Sequence, residues 1–141
     1  MSVNVGKRIV ADTPNNRMFY AVDSALDLAL YTVKICSNKN IFTEEYQNIV
    51  QQIVDIALTI YRSAWTANNI RVNGNAGRWE IRESYEDRSI VECDNLLAMI
   101  GLAKFLFHLK SAKEKYWSES TLKTRLLLEK WKESDTKRYG A

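Results

Sequence analysis

Glycine and proline, the residues that interrupt helices, are rare in this chain: five glycines and one proline in 141 residues. Proline has no amide proton for an interior helical hydrogen bond, and glycine loses the most backbone entropy on ordering. A chain so poor in both is suited to long, unbroken helices. Hydrophobic residues make up 46% of it, enough at this length for one sizeable core. No stretch reads convincingly as a strand, so the expected fold class is all-α.

Residues 1–16 read as a flexible N-terminal arm ending in the turn Asp12-Thr13-Pro14-Asn15-Asn16. Helical spacing begins at Arg17. Phe19, Val22, Leu26, Ala29, Leu30 and Val33 recur at three- and four-residue steps, which puts them on one face. Ser37-Asn38-Lys39-Asn40 breaks this helix. Thr43, followed by Glu44 and Glu45, suits the N-cap of a second helix. The stripe Tyr46, Ile49, Val50, Ile53, Ala57, Ile60, Tyr61 and Ala64 is the cleanest period in the chain. After the loop Asn73–Gly77 a third helix is expected from Arg78 or Trp79 to His108 or Lys110. A fourth, capped by Ser118 or Ser120, carries Leu122, Leu126, Leu127, Leu128 and Trp131. Ser134-Asp135 and Gly140 mark its end, with 136–141 as a basic tail. Four helices with short connections predict an antiparallel up-down four-helix bundle over residues 17–135.

Little in the sequence supports catalysis. His108 is the only histidine, and in its apolar stretch it reads as a packed or partly exposed helical residue. There is no phosphate-binding glycine loop, nucleophile elbow or HExxH motif. Glu80, Glu83, Glu86 and Asp87 read as a solvated acidic face; a di-metal bundle also needs paired Glu-x-x-His motifs. Cys36 and Cys93 lie in apolar helical patterns and read as buried free thiols. No metal or other cofactor is expected, and no enzymatic activity. Residues 96–109 are apolar almost all round but too short to span a bilayer. Met1–Val10 lacks a signal-peptide core, so the expectation is a cytoplasmic protein. The apolar 96–109 segment calls for cover on more than one side, which predicts a homo-oligomer. The tryptophans Trp65, Trp79, Trp117 and Trp131 read chiefly as core or interface, with base stacking as the alternative.

The charge is more informative. Net charge is +3, but residues 104–141 hold ten Lys/Arg against five Asp/Glu, while residues 40–103 hold five against nine. Arg71, Arg78, Arg82 and Arg88 gather around the second loop and early third helix. Lys110 follows the third helix, and Lys123, Arg125, Lys130, Lys132, Lys137 and Arg138 crowd the last. Such groups engage a phosphate backbone, arginine bidentately. These eleven residues are the candidate RNA- or polymerase-binding set.

Three segments are more particular: 67–73 (ANNIRVN), 82–97 (RESYEDRSIVECDNLL) and 131–139 (WKESDTKRY). In this order, after two amphipathic helices, they resemble the accessory variability determinant proteins, four-helix bundles encoded with diversity-generating retroelements. These are similar in turn to the ribosomal-RNA intervening-sequence bundle proteins. The resemblance spans about residues 17–139. It implies a basic, ring-forming bundle, commonly a pentamer, without catalytic residues. Such a protein would bind the retroelement's reverse transcriptase and its template RNA or RNA–cDNA hybrid, in support of mutagenic cDNA synthesis. Arg71, Arg82, Arg88, Lys137 and Arg138 fall inside the matched segments, where they would contact RNA or polymerase or equally fix the bundle through ion pairs. The runner-up reading is a homo-oligomeric protein-docking scaffold without direct RNA binding.

Overall fold

In the computed structural model, residues 14–140 are described, with side chains from residue 18 onward. The chain forms α1 (Pro14–Cys36), a 3-10 turn (Glu44–Tyr46), α2 (Gln47–Asn69), α3 (Ala76–Leu106) and α4 (Ser111–Tyr139). Each helix packs against two others: α1 against α2 and α4, and α3 against α2 and α4. The pairings run in opposite directions. Ser24 meets Thr124 and Thr32 meets Trp117 between α1 and α4. Ile60 meets Ser89, and Ile70 meets Arg82, between α2 and α3. The four-helix bundle expected from the sequence is therefore the fold.

The cores of α2, α3 and α4 follow one rule. Val50, Ile53, Ala57, Ile60, Ala64 and Ala67 of α2 are buried. So are Trp79, Arg82, Glu86, Ser89, Cys93, Leu96, Ile100 and Ala103 of α3, and Trp117, Thr121, Thr124, Leu128, Trp131 and Asp135 of α4. Alternating steps of three and four place each set on a narrow seam, as in coiled-coil-like bundle packing. On α1 the seam is rotated from the expected one. Ala21, Ala25, Leu28, Thr32 and Ile35 are buried together with Val22 and Ala29 of the expected face, while Leu26 and Leu30 are half-buried and Val33 is exposed. The same rotation occurs on α4, where Leu122 and Leu126 are exposed. In both helices part of the buried seam is alanine or threonine, while leucines beside it stay partly or largely exposed.

Several boundaries move. α1 starts at Pro14, three residues before the expected start, since proline suits a first helical turn. The expected arm otherwise lies outside the described residues. Thr43 precedes the 3-10 turn rather than α2, and its hydroxyl donates to Glu45 instead of capping. α3 begins two residues early, because Asn75 Oδ1 accepts from the Arg78 amide at 3.2 Å and caps it there. It ends before His108. That residue sits in the left-handed region at φ 54°, and the Leu109 amide donates back to the Lys104 carbonyl at 3.1 Å. This is a Schellman closure. α4 starts at Ser111, well before Ser118, and runs through the expected tail, so Ser134 and Asp135 are buried within it and Lys137 and Arg138 are helical. Cys36 and Cys93 are buried free thiols, and burial pushes both up to about 12. None of the described helices is long and apolar enough to cross a membrane.

Candidate nucleic-acid interface

The bundle end formed by the start of α3, the finish of α4 and the α2–α3 loop is organised around Arg82. Its Nε donates to Asp135 Oδ2 at 2.8 Å, and its Nη1 to the Ile70 carbonyl at 3.0 Å. Glu86 Oε2 lies 3.4 Å from Nε. The guanidinium carbon stands 5.5 Å from both the Trp131 and the Tyr139 ring centroids, and Tyr139 packs on Trp79. Arg82, Glu86 and Asp135 are all buried. Two carboxyls thus share one cation out of water. Neither Glu86 oxygen has a hydrogen-bond partner in good geometry, so burial decides its protonation. Burial first, and the neighbouring Asp135 second, raise the Glu86 carboxyl to about 10 against the pull of Arg82. It is held as the neutral acid, which leaves Arg82 and Asp135 as the ion pair.

Glu86 was expected on a solvated face and is corrected: it occupies a core position of the α3 seam. Arg82, expected either to contact RNA or polymerase or to fix the bundle through an ion pair, occupies the same seam and makes the ion pair. Arg82, Glu86 and Asp135 come from the segments 82–97 and 131–139, and Ile70 from 67–73. The three segments singled out in the sequence therefore meet in one cluster.

The other basic candidates divide. Across the α3–α4 seam Lys132 pairs with Asp87, and Arg125 Nε with Asp94 at 2.8 Å. Arg125 also pairs with Glu129 at 2.8 Å, and Lys104 with Glu114 at 3.6 Å. Hydrogen bonding to Asp87 raises Lys132, and hydrogen bonding to Asp94 raises Arg125. The acidic middle and basic end of the sequence thus neutralise each other along this seam. Lys137 pairs with Glu133 on its own helix. Among the described residues, Arg71, Arg78, Arg88, Lys110, Lys123 and Lys130 have no carboxylate within ion-pair distance. All six are exposed. Arg71 and Arg78 adjoin at the Arg82 end, Arg78 Nη1 donating to the Arg71 carbonyl at 2.9 Å. Arg138 joins them there, 5.3 Å from the Tyr139 ring. Lys110 lies at the opposite end, the length of α3 away, about 45 Å at 1.5 Å per residue.

Of the tryptophans, Trp79, Trp117 and Trp131 are core and Trp65 is exposed. No group of His, Cys, Asp and Glu among the described residues is arranged to hold a metal. The sequence reading did not single out a groove of about 470 Å³ between α1 and α4. Tyr20, Asp27 and Tyr31 of α1 and Tyr116 and Lys123 of α4 line it. Their helical spacing beside the buried seam is the signal that would have found it. Comparison with family models, with curated proteins and with solved structures gives no match to this chain.

Proposed function

We propose that this chain is a non-enzymatic, cytoplasmic accessory subunit of a diversity-generating retroelement reverse transcriptase. In this reading it binds the polymerase and the template RNA, or the RNA–cDNA hybrid, and so supports mutagenic cDNA synthesis. The observation behind it is the convergence of segments 67–73, 82–97 and 131–139 on the Arg82 cluster, with Arg71 and Arg78 exposed beside it and uncommitted to carboxylates. The inner charges of that end are matched internally, so its outer arginines are available to phosphate.

The test is a fluorescence titration of retroelement template RNA at several salt concentrations. With about four to six phosphate contacts on single strands, a fourfold rise in salt weakens binding by roughly 50- to 300-fold. Reversing Arg71, Arg78 and Lys130 to Glu together is expected to lower affinity and flatten the salt dependence while helicity is kept, since none of the three has an acidic partner. Absence of RNA binding by the parent at low salt overturns the reading.

A specific observation on α3 also favours self-association. Ile81, Val91, Leu102 and Phe105 lie on its outward side, and Phe105 is 78% exposed. Ile81 and Leu102, like Val91 and Phe105, are separated by whole heptads, the spacing of an interhelical seam. We assign this stripe to contacts between copies in a homo-oligomer, a pentamer in the family reading. Light scattering on Val91→Lys/Phe105→Lys is expected to show monomer where the parent is oligomeric. A parent that is monomeric at micromolar concentration removes this assignment.

A further inference from the structure

The α1–α4 groove is the best-defined feature that the RNA reading leaves unused. Tyr31 and Tyr116 meet edge to face across it, centroids 4.9 Å apart at 63°, and Tyr20 lines the same wall as Tyr31. Deeper in, the Ser24 and Thr124 hydroxyls bond to each other at 2.8 Å, and Thr124 also donates to the Ser120 carbonyl. The hydroxyls are satisfied internally. Asp27 is not: the half-buried carboxylate has no hydrogen bond or ion pair to any described residue. Lys123 lines the groove from α4, outside ion-pair distance of Asp27. The groove thus presents aromatic faces, an open acceptor and an open cation, within a volume suited to one small ligand, about 300–1,000 Å³ being usual.

We propose that this groove is a guanine-nucleotide pocket, with tyrosine rings against the base, Asp27 accepting from its Watson–Crick edge, and Lys123 meeting the phosphate. An ionised carboxylate only accepts hydrogen bonds. Guanine offers two adjacent donors, N1–H and the N2 amine. Adenine, cytosine and uracil each set an acceptor beside their donor, which faces a carboxylate unfavourably. The aromatic faces suit a stacked base, as in single-strand binding. Lys123 disfavours the other ligand that tyrosines and an aspartate attract, a simple cation. Burial raises the Asp27 carboxyl while Lys123 lowers it, the behaviour of an acid short of donors. The inference deepens the RNA reading by naming the base it selects, and the chemistry is the same for a free nucleotide.

The test uses the full chain and calorimetry with short uridine-rich RNAs carrying one central guanine, inosine or adenine, alongside free GMP, AMP and spermidine. Guanine is expected to exceed adenine by about tenfold or more, the scale of a hydrogen bond to a charged group. Inosine, lacking the N2 amine, falls between. Asp27→Asn largely removes the preference, and Tyr116→Ala weakens every base alike. Equal binding of guanine and adenine by the parent, a preference that survives Asp27→Asn, or binding of spermidine in place of GMP overturns the pocket. Salt-sensitive RNA binding without base preference overturns the pocket alone and leaves the RNA reading standing. GMP binding over AMP without RNA binding supports the pocket, assigns it to a free nucleotide, and overturns the RNA reading.

Discussion

The two ends of the bundle are closed by different chemistry. Where the segment 37–46 meets the turn between α3 and α4, rings make the seal. Phe42 is fully buried against Phe107 and Trp117, at centroid distances of 4.7 and 6.2 Å. The Trp117 Nε1 proton is donated to Thr32 Oγ1 at 3.0 Å. At the other end an ionic cluster, Arg82, Asp135 and Glu86, is buried against the rings of Trp131 and Tyr139. An aromatic seal loses stability in proportion to the surface and volume removed. An ionic seal fails disproportionately when one partner is removed, because the remaining charge stays buried. The ionic end is also where exposed arginines gather, so the stabilising cluster and the proposed binding surface share one end of the bundle.

Deleting the cation tests this contrast most sharply. Arg82→Met is expected to cost about 3–5 kcal/mol, since Asp135 is left buried and the Ile70 carbonyl loses its donor. Converting Arg82, Glu86 and Asp135 together to Met, Leu and Leu is expected to recover most of that loss. Urea midpoints of the single and triple variants decide it; if both lose equally, the ion pair is not what makes the single change costly. At the aromatic end Phe42→Ala is expected to cost about 3 kcal/mol, the lower part of the usual range, because a connecting segment can settle into the gap. Phe42→Leu is expected to cost less, in the graded manner the ionic end lacks.

The ends also differ in their response to pH. Folded Glu86 keeps its proton up to about 10, against an ordinary value of 4.5. The unfolded chain releases that proton above its ordinary value. Between these limits the folded state binds more protons, so stability falls as pH rises, by at most about 1.4 kcal/mol per pH unit. Glu86→Gln removes the proton uptake. Its stability profile from pH 5 to 8.5 is expected to be flatter than the parent's and to lie above it at the alkaline end. Phe42→Ala is expected to lower the whole profile over that range without changing its slope. Denaturation midpoints across pH for the three proteins check both statements.

The ionic end was also the harder one to read from sequence. Long helices, their number and the α2 seam follow from apolar spacing and rare breakers, because those signals are local. On α3 the same three–four spacing continues from Cys93 back through Ser89, Glu86 and Arg82 to Trp79, but polar residues at core positions look like a solvated face until a partner is known. Asp135 is that partner, and it lies 53 positions away from Arg82. Likewise the leucines of α4 outweigh Thr121 and Thr124 on any hydropathy argument, although the threonines are buried. The α1–α4 groove draws on two helices at opposite ends of the sequence, so no single segment announces it.

Backbone conformation at the two turns gives the smallest contrast. The α2–α3 loop turns through Asn73 at φ 50° and Gly74 at φ 73°, residue types that tolerate the left-handed region. A Cβ on Gly74 would meet nothing within 4 Å, so Gly74→Ala costs only the backbone strain, about 1 kcal/mol. The α3–α4 turn puts His108 at the position where helices usually end in glycine. His108 is exposed, and its neighbours Phe107 and Leu109 are buried, so the backbone is held in place whatever residue stands there. His108→Gly relieves the left-handed strain but frees the unfolded chain, and the balance is expected to be a gain of about 0.5 kcal/mol. His108→Ala, which keeps the strain, is expected to show no gain. Thermal midpoints of the three variants measure these differences. A His108→Gly protein no more stable than His108→Ala would mean that the turn between α3 and α4 carries no strain for glycine to relieve.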